Sequence, residues 1–339
     1  MKALNNKSNT AHLVAASFLL GSTITYLLAK WSNTQNTKST ETKEPKEEQQ
    51  SKLFTIPPEM RSEQLSRNEL YFGKEGMKSI VGSSILIVGL GGVGSHTAHM
   101  LARAGVSYLR LVDFDQVTLS SLNRHACATL EDVGIPKVTC MQNFLAKVCG
   151  NCCKIDAWVQ MYTGDETKDG DMLKYPMNGN DWDIVIDAID DVPTKARLLG
   201  HCIRNKIRVI SCMGAGGKSD MTRLHISDLR SASRDPLASK LRQTLKRGLK
   251  NDEHVKDESY LSDVGKVAVI YSSEKVVCKL ADFTDEQLKQ GIQKFGAVDN
   301  MRIRVIPVLG TMPAIMGQSL AAMALCELGG KPFSVSYSI

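Results

Sequence analysis

Gly89, Gly91 and Gly94 stand in Gly89-Leu90-Gly91-Gly92-Val93-Gly94, directly after the apolar run Ser84-Ile85-Leu86-Ile87-Val88. A G-x-G-x-x-G turn at the end of a strand is built to hold phosphate. The first glycine permits the tight turn, the second lets the backbone approach the phosphate, and the third lets helix and strand pack closely. A helix opening near Ser95 would aim its amide groups at the anion. Asp113 closes the next apolar run, Tyr-Leu-Arg-Leu-Val, where a carboxylate can accept hydrogen bonds from ribose hydroxyls. These features alone suit a nicotinamide dinucleotide and ATP equally.

The residues beyond Asp113 separate the two. Arg124 comes about a dozen residues later and Lys137, in Gly-Ile-Pro-Lys-Val, about a dozen after that. A triphosphate needs cations to offset its charge during displacement, and a nicotinamide site does not. Ser120, Ser121 and Asn123 add polar groups beside Arg124. Asp187 and Asp190, in Asp-Ala-Ile-Asp, close another strand candidate, at the place where the crevice of a parallel sheet opens. A carboxylate there can hold Mg²⁺ on phosphates. Taken singly, each is also what a surface Arg, a surface Lys or a helix-capping Asp looks like; the ordered set points to ATP with Mg²⁺.

Strand–helix alternation must position these residues. The strand candidates ILIVG, YLRLVDFD, IDAWVQMY, DIVIDAID and IRVISCMGAG are separated by helical stretches such as SHTAHMLARAG and PTKARLLGHCIRNK. This alternation predicts an α/β fold, a doubly wound, Rossmann-like and mostly parallel sheet. A further strand, VAVIYSS, and a final apolar helix, AIMGQSLAAMALCEL, come later in the chain. With 42% hydrophobic and 23% charged residues in 339, the chain has the composition of an ordinary globular protein. Nine cysteines without regular spacing argue against a disulfide framework. Cys149 and Cys152 form one C-x-x-C without the second pair that a structural zinc site needs.

The N-terminus is organised separately. Residues 1–12 form a short tail, and residues 13–29, LVAASFLLGSTITYLLA, carry no charge and are followed by Lys30 and Trp31. That run sits at the short end of bilayer-spanning length, and no small-residue cleavage site comes after it, so 13–31 is expected to be a transmembrane anchor. The polar tract 32–52 is expected to be a disordered linker, with the folded domain over 53–339.

The motifs G-x-G-G-V-G-S, D-F-D-x-V, N-R, G-x-P-K and D-A-I-D resemble those of the adenylating superfamily of ubiquitin-activating enzymes and their bacterial relatives, over roughly residues 62–330. The resemblance implies ATP contacts from Gly89, Gly91, Gly92, Gly94, Asp113, Asp115, Ser121 and Asn123. It places Asp113 on the ribose, Asn123 and Arg124 near the phosphates, and Lys137 at the α-phosphate. Asp187 would line the site, and Asp190 would bind Mg²⁺. Arg67, in Ser-Arg-Asn-Glu-Leu, would enter the ATP site of the partner subunit in a homodimer. Ser121 departs from the asparagine that many relatives carry near Arg124.

Within that superfamily, CMGAGGKSDMTR and RDPLASKLRQTLKRGLK resemble the tRNA threonylcarbamoyladenosine dehydratases, and RVIPVLGTMPAIMG resembles their eukaryotic members. The implied reaction is ATP-dependent dehydration of N6-threonylcarbamoyladenosine beside the tRNA anticodon to its cyclic form. Arg67, Arg124, Lys137 and Asp190 would carry it, with no covalent nucleophile, since Val269 stands where bacterial members have a cysteine. The implied location is the mitochondrial outer membrane with the catalytic domain facing the cytosol; a sulfur-acceptor partner is also compatible. Arg234, Lys240, Arg242, Lys246, Arg247 and Lys250 form a basic segment over 234–250 suited to tRNA phosphates, although a solvated helix face has the same composition. The alternatives are an enzyme activating the C-terminus of a ubiquitin-like or sulfur-carrier protein, a nicotinamide oxidoreductase, and a tethered RNA-binding scaffold without turnover.

Overall fold

Strands whose residues are apolar on both faces must be covered on both sides, which in an α/β chain is done by crossover helices. The computed structural model describes residues 54–174, 181–247, 266–276, 278 and 306–333. Its sheet holds β1 (Ser84–Val88), β2 (Tyr108–Val112), β3 (Lys154–Trp158), β4 (Ile184–Asp187), β5 (Val209–Cys212), β6 (Leu224–Asp228) and β7 (Ala268–Ser272), in the order β3-β2-β1-β4-β5-β7-β6. All neighbours are parallel except the edge pair β6–β7. The predicted doubly wound sheet is present, and the antiparallel edge is an addition to it.

The helices are α1 (Pro58–Val81), α2 (Gly92–Ala104), α3 (Lys137–Cys149), α4 (Val192–Arg204), α5 (Pro236–Arg247) and α6 (Thr311–Leu328). Alternate residues of one strand serve opposite layers. Ile85 and Ile87 of β1 pack with Leu101 of α2 and with Met316 and Leu320 of α6. Leu86 and Val88 pack with Leu198 and Leu199 of α4 and with Leu241 of α5.

Two details differ from expectation. Helix α2 opens at Gly92, three residues before Ser95, because its first turn is the glycine turn itself. Helix α6 opens at Thr311, with Pro313 in its first turn, where a missing N–H costs nothing. Helices α2 and α6 lie in direct contact: a Cβ on Gly317 would come within 2.4 Å of the Val93 carbonyl, and the Thr97 hydroxyl donates to the Gly317 carbonyl at 3.0 Å. The expected tail, membrane span and linker over 1–52 lie outside the described residues. Among the described residues, no helix is long and apolar enough to cross a membrane.

Candidate functional site

Strand order reverses direction between β1 and β4, and the loops leaving their carboxyl ends open the crevice of such a sheet. The glycine turn lies on one side of it. Gly89 has φ +95°, and a Cβ there would meet the Ala188 carbonyl at 2.7 Å, so this corner requires glycine. A Cβ on Gly94 would lie 1.8 Å from the Gly89 carbonyl oxygen, while one on Gly91 would meet nothing within 4 Å. The turn is closed at Gly94 and open at Gly91, the position expected to face phosphate.

Asp113 fastens the end of β2 to this turn. Its two carboxylate oxygens accept from the Leu90 N–H at 2.5 Å and the Asp115 N–H at 2.7 Å. Burial raises its pKa, opposed by Lys137 and these two backbone donors. Lys137, the first residue of α3, is buried and its Nζ donates to Asp115 at 2.6 Å. Asp113, Asp115 and Lys137 therefore form one linked group at the mouth of the crevice.

Arg124 reaches the turn from the opposite side. A Cβ on Gly92 would sit 3.1 Å from Arg124 Cγ, which places the side chain's stem on the glycine turn. Its Nη1 donates to the Ser120 carbonyl at 2.7 Å and to Asn123 Oδ1 at 3.0 Å. Asn123 in turn donates to the Val308 carbonyl at 3.1 Å. An open cleft of about 350 Å³ lies here, lined by His96, Asn123, Arg124, His125, Leu309 and Thr311 among others. His125 Nε2 is the one buried side-chain nitrogen or oxygen without a hydrogen-bond partner among the described residues.

The two aspartates after β4 divide their duties. Asp190 is exposed and pairs with no described residue, so its carboxylate is available to a cation. Asp187 is fully buried, bridged to Lys195 Nζ at 2.8 Å, and accepts from the Ser211 hydroxyl at 2.7 Å. The structure assigns it to bracing the loop: Lys195 also donates to the Ile189 carbonyl at 2.8 Å. Ser121 is likewise committed locally, its hydroxyl 2.8 Å from that of Thr118 in the capped turn Leu119–Ser121. Both, expected as ligand contacts, make these local bonds in the structure.

Two other groups of predicted residues lie away from the crevice's walls. Arg67 is exposed on α1, and no described residue pairs with it. On α5, Leu241 and Leu245 are buried as the spacing predicts, while Arg234, Lys240 and Lys246 are exposed. Arg242 Nη1 is bound to the carbonyls of Leu229 at 3.0 Å and Ala232 at 2.6 Å. Lys250 and the side chain of Arg247 lie outside the described residues.

Two buried ammonium groups had no place in the sequence reading. Lys195 is one; the other is Lys218, paired with Asp235. Lys218 comes after Gly-Ala-Gly-Gly at the carboxyl end of β5, and Asp235 precedes the proline that opens α5. The sole signal was a lysine directly after two glycines at a strand end.

Comparisons with known proteins agree with this geometry. The model of the ThiF family matches residues 65–336. Saccharomyces cerevisiae tRNA threonylcarbamoyladenosine dehydratase 2 is 36% identical over 275 residues, covering 80% of this chain and 57% of that protein, so the chain spans less than three-fifths of that relative's length. Bacillus subtilis tRNA threonylcarbamoyladenosine dehydratase is 40% identical over 199 residues, 58% of this chain and 75% of that protein. The crystal structure of E. coli tRNA N6-threonylcarbamoyladenosine dehydratase in complex with ATP superposes with a TM-score of 0.63 at 27% identity, covering 82% of this chain and 98% of that one.

Proposed function

Because the chain belongs to the ThiF family, we propose that it is an ATP-dependent enzyme that dehydrates N6-threonylcarbamoyladenosine beside the tRNA anticodon to its cyclic form. The observation that carries this reading is the pair of cations at one glycine turn: Arg124 packed on Gly92, and Lys137 linked through Asp115 to the Asp113 group. The relatives' names supply the substrate class.

A carboxylate is a poor electrophile because its oxygen leaves badly. In the proposed scheme the threonyl carboxylate attacks the α-phosphorus of ATP, pyrophosphate leaves, and the resulting acyl adenylate carries AMP as its leaving group. A carbamoyl nitrogen of the same side chain then attacks the acyl carbon, loses its proton and expels AMP. The net change in the nucleoside is loss of one water. Intramolecular attack gains a large effective molarity, so the protein's task is position and charge.

The open face of Gly91 receives the phosphates, and Asp113 has oxygen lone pairs left for a ribose hydroxyl. Lys137 and Arg124 offset charge developing on the α-phosphate and the pyrophosphate. To do so, Lys137 must exchange part of its bond to Asp115 for the ligand. Asp190, exposed at the crevice mouth, fits a role in holding Mg²⁺, which when bound would neutralise phosphate charge. Asp187 and Lys195 hold the loop that carries Asp190. Arg234, Lys240 and Lys246 offer phosphate contacts to tRNA.

We further infer a homodimer in which Arg67 completes the partner subunit's site. An anchor over 13–31 in the mitochondrial outer membrane would leave the catalytic domain in the cytosol. The charge-free run 13–29 and the sequence resemblance support the anchor. Alkaline extraction and protease accessibility of isolated mitochondria test it.

The decisive experiment incubates the protein with ATP, Mg²⁺ and tRNA carrying the modified adenosine, then digests the tRNA and weighs the nucleosides. Loss of one water mass is expected. An unchanged mass, with pyrophosphate exchange stimulated instead by a small Gly-Gly-ended protein, would replace this reading with carrier-protein activation.

A further inference from the structure

His125, Cys127 and Cys140 bring one nitrogen and two sulfurs within 4.8 Å of one another, the sole such group of potential metal ligands among the described residues. Cys127 Sγ lies 3.9 Å from Cys140 Sγ and 3.8 Å from His125 Nδ1. A tetrahedral zinc-class ion with its usual bond lengths holds two sulfurs about 3.8 Å apart and a sulfur and a nitrogen about 3.6 Å apart. Two of the three separations already match, and the third, within 4.8 Å, must close by up to about 1.2 Å.

The chemistry of the donors agrees with the spacing. His125 Nδ1 accepts from the backbone N–H groups of Ala128 at 3.2 Å and Cys127 at 3.5 Å, so the ring proton sits on Nε2 and an ion would take over the Nδ1 lone pair from these two donors. An ion would displace the protons of both thiols on binding. Two thiolates balance a divalent charge, which lowers the cost of burying the ion.

Asp132 stands beside Cys140 but is not one of the residues whose donor atoms lie within 4.8 Å of one another, which leaves the fourth position to a water or a substrate atom. Asp132 Oδ2 takes both hydrogen bonds from Thr129, which leaves Oδ1 outside that turn.

We propose that His125, Cys127 and Cys140 bind a thiophilic divalent ion of the zinc class, clipping the turn that carries Arg124 to the first turn of the helix that carries Lys137. The two segments are joined through the chain by residues 128–136, much of which is exposed loop. A metal bond between them would fix the separation of the two cations without touching either. This site stands independently of the reaction proposed above.

The test uses the full chain, purified under reducing conditions and stripped of metal with a chelator. Titration with Co²⁺ should give a near-ultraviolet thiolate-to-cobalt band and the visible bands of tetrahedral cobalt at one equivalent, both bleached by Zn²⁺. Competition with a chromophoric chelator should give one tight Zn²⁺ site. Cys127→Ser and Cys140→Ser should each weaken it more than about 100-fold, since even outer partners of a metal site are worth about 10–100-fold. The double variant C149S/C152S should keep it. Absence of the thiolate band in the wild-type protein overturns the proposal whether or not the variants fold. So does a band lost in C149S/C152S and kept in C127S, or a Cys127–Cys140 disulfide that forms in preference to metal binding.

Discussion

Lys218 and Asp235 form an ion pair of 2.6 Å, both side chains buried, between the carboxyl end of β5 and the start of α5. Each has a second partner: Lys218 also donates to the Ser272 carbonyl at 2.9 Å, and the other Asp235 oxygen accepts from the Ala238 N–H at 2.9 Å. The pair thus ties β5, β7 and α5 at one point, and α5 carries the basic residues assigned to tRNA. Replacing one partner leaves a buried charge alone, which costs about 3–5 kcal/mol. Lys218→Met should therefore lower the urea midpoint sharply. The double variant K218M/D235L should recover most of the loss, short of about 1 kcal/mol for the lost helix cap. A double variant no better than K218M would mean that the pair is not the coupling.

Gly91 and Gly94 are three residues apart and should behave oppositely. A methyl on Gly94 meets backbone oxygen at 1.8 Å, which no side-chain movement relieves. Gly94→Ala should destabilise by at least the ~3 kcal/mol upper range of ordinary overpacking. Gly91→Ala places its methyl in open space, so the melting temperature should hold. ATP affinity should fall at least about tenfold, or 1.4 kcal/mol, because the phosphates need that space. Thermal melts with and without ATP separate the two effects.

Arg124 tests the division between chemistry and tRNA binding. Its guanidinium bonds Ser120 and Asn123 within its own turn, so its removal breaks no long-range hydrogen bond. Arg124→Ala should reduce turnover on the order of 100- to 1,000-fold, the scale of one lost transition-state donor. tRNA retention on a filter should change little. An equal fall in both would show that the arginine binds substrate and does not act on the phosphates.

How much of this was legible in the sequence depends on the effect of burial on each residue type. The strands β1 and β4 were legible because both of their faces are apolar, and the glycine turn because its spacing reflects a backbone clash. Strand β2 was legible too, but nothing in the sequence showed that Arg110 within it is buried. Its guanidinium is 4% exposed, bound to Asp156 at 2.8 Å and to carbonyls of the 171–174 turn, and lies over Trp158 and Trp182. The burial of lysines 195 and 218 was not legible, because a buried ammonium is rare and its carboxylate partner is known only from the fold. The proximity of Cys127 and Cys140 arises from the path of the 128–136 segment, which no residue pattern encodes.

The same cluster around Arg110 makes stability depend on alkaline pH. Tyr108 donates its hydroxyl to Asp156 at 2.8 Å. Burial and then that carboxylate raise its pKa from 10.0 to about 12. The folded state therefore holds this proton more tightly than the unfolded chain does. The associated stability is complete below pH 10 and is lost as pH rises from there towards about 12. Tyr108→Phe should be less stable than wild type near neutrality, by the missing hydrogen bond, yet lose less on going to alkaline pH. Urea midpoints followed through that range should converge; parallel curves would exclude Tyr108 as the titrating group.

The basic helix offers a prediction in which neighbouring cations have different fates. Lys240 and Lys246 are exposed on α5, whereas Arg242, between them in sequence, closes the carbonyls of Leu229 and Ala232. An ammonium that contacts a phosphate displaces condensed counterions, so each such contact adds roughly one unit to the slope of log affinity against log salt. K240A/K246A should weaken tRNA binding at low salt and flatten that slope by up to about two units, with the melting temperature unchanged. Arg242→Ala should do the reverse, lowering stability by about 1–3 kcal/mol through two carbonyls left without their donor while the salt slope holds. Filter binding across a salt series, read beside thermal melts, distinguishes a tRNA-facing helix from one whose charge serves only solvation, because the second predicts no change of slope in either variant.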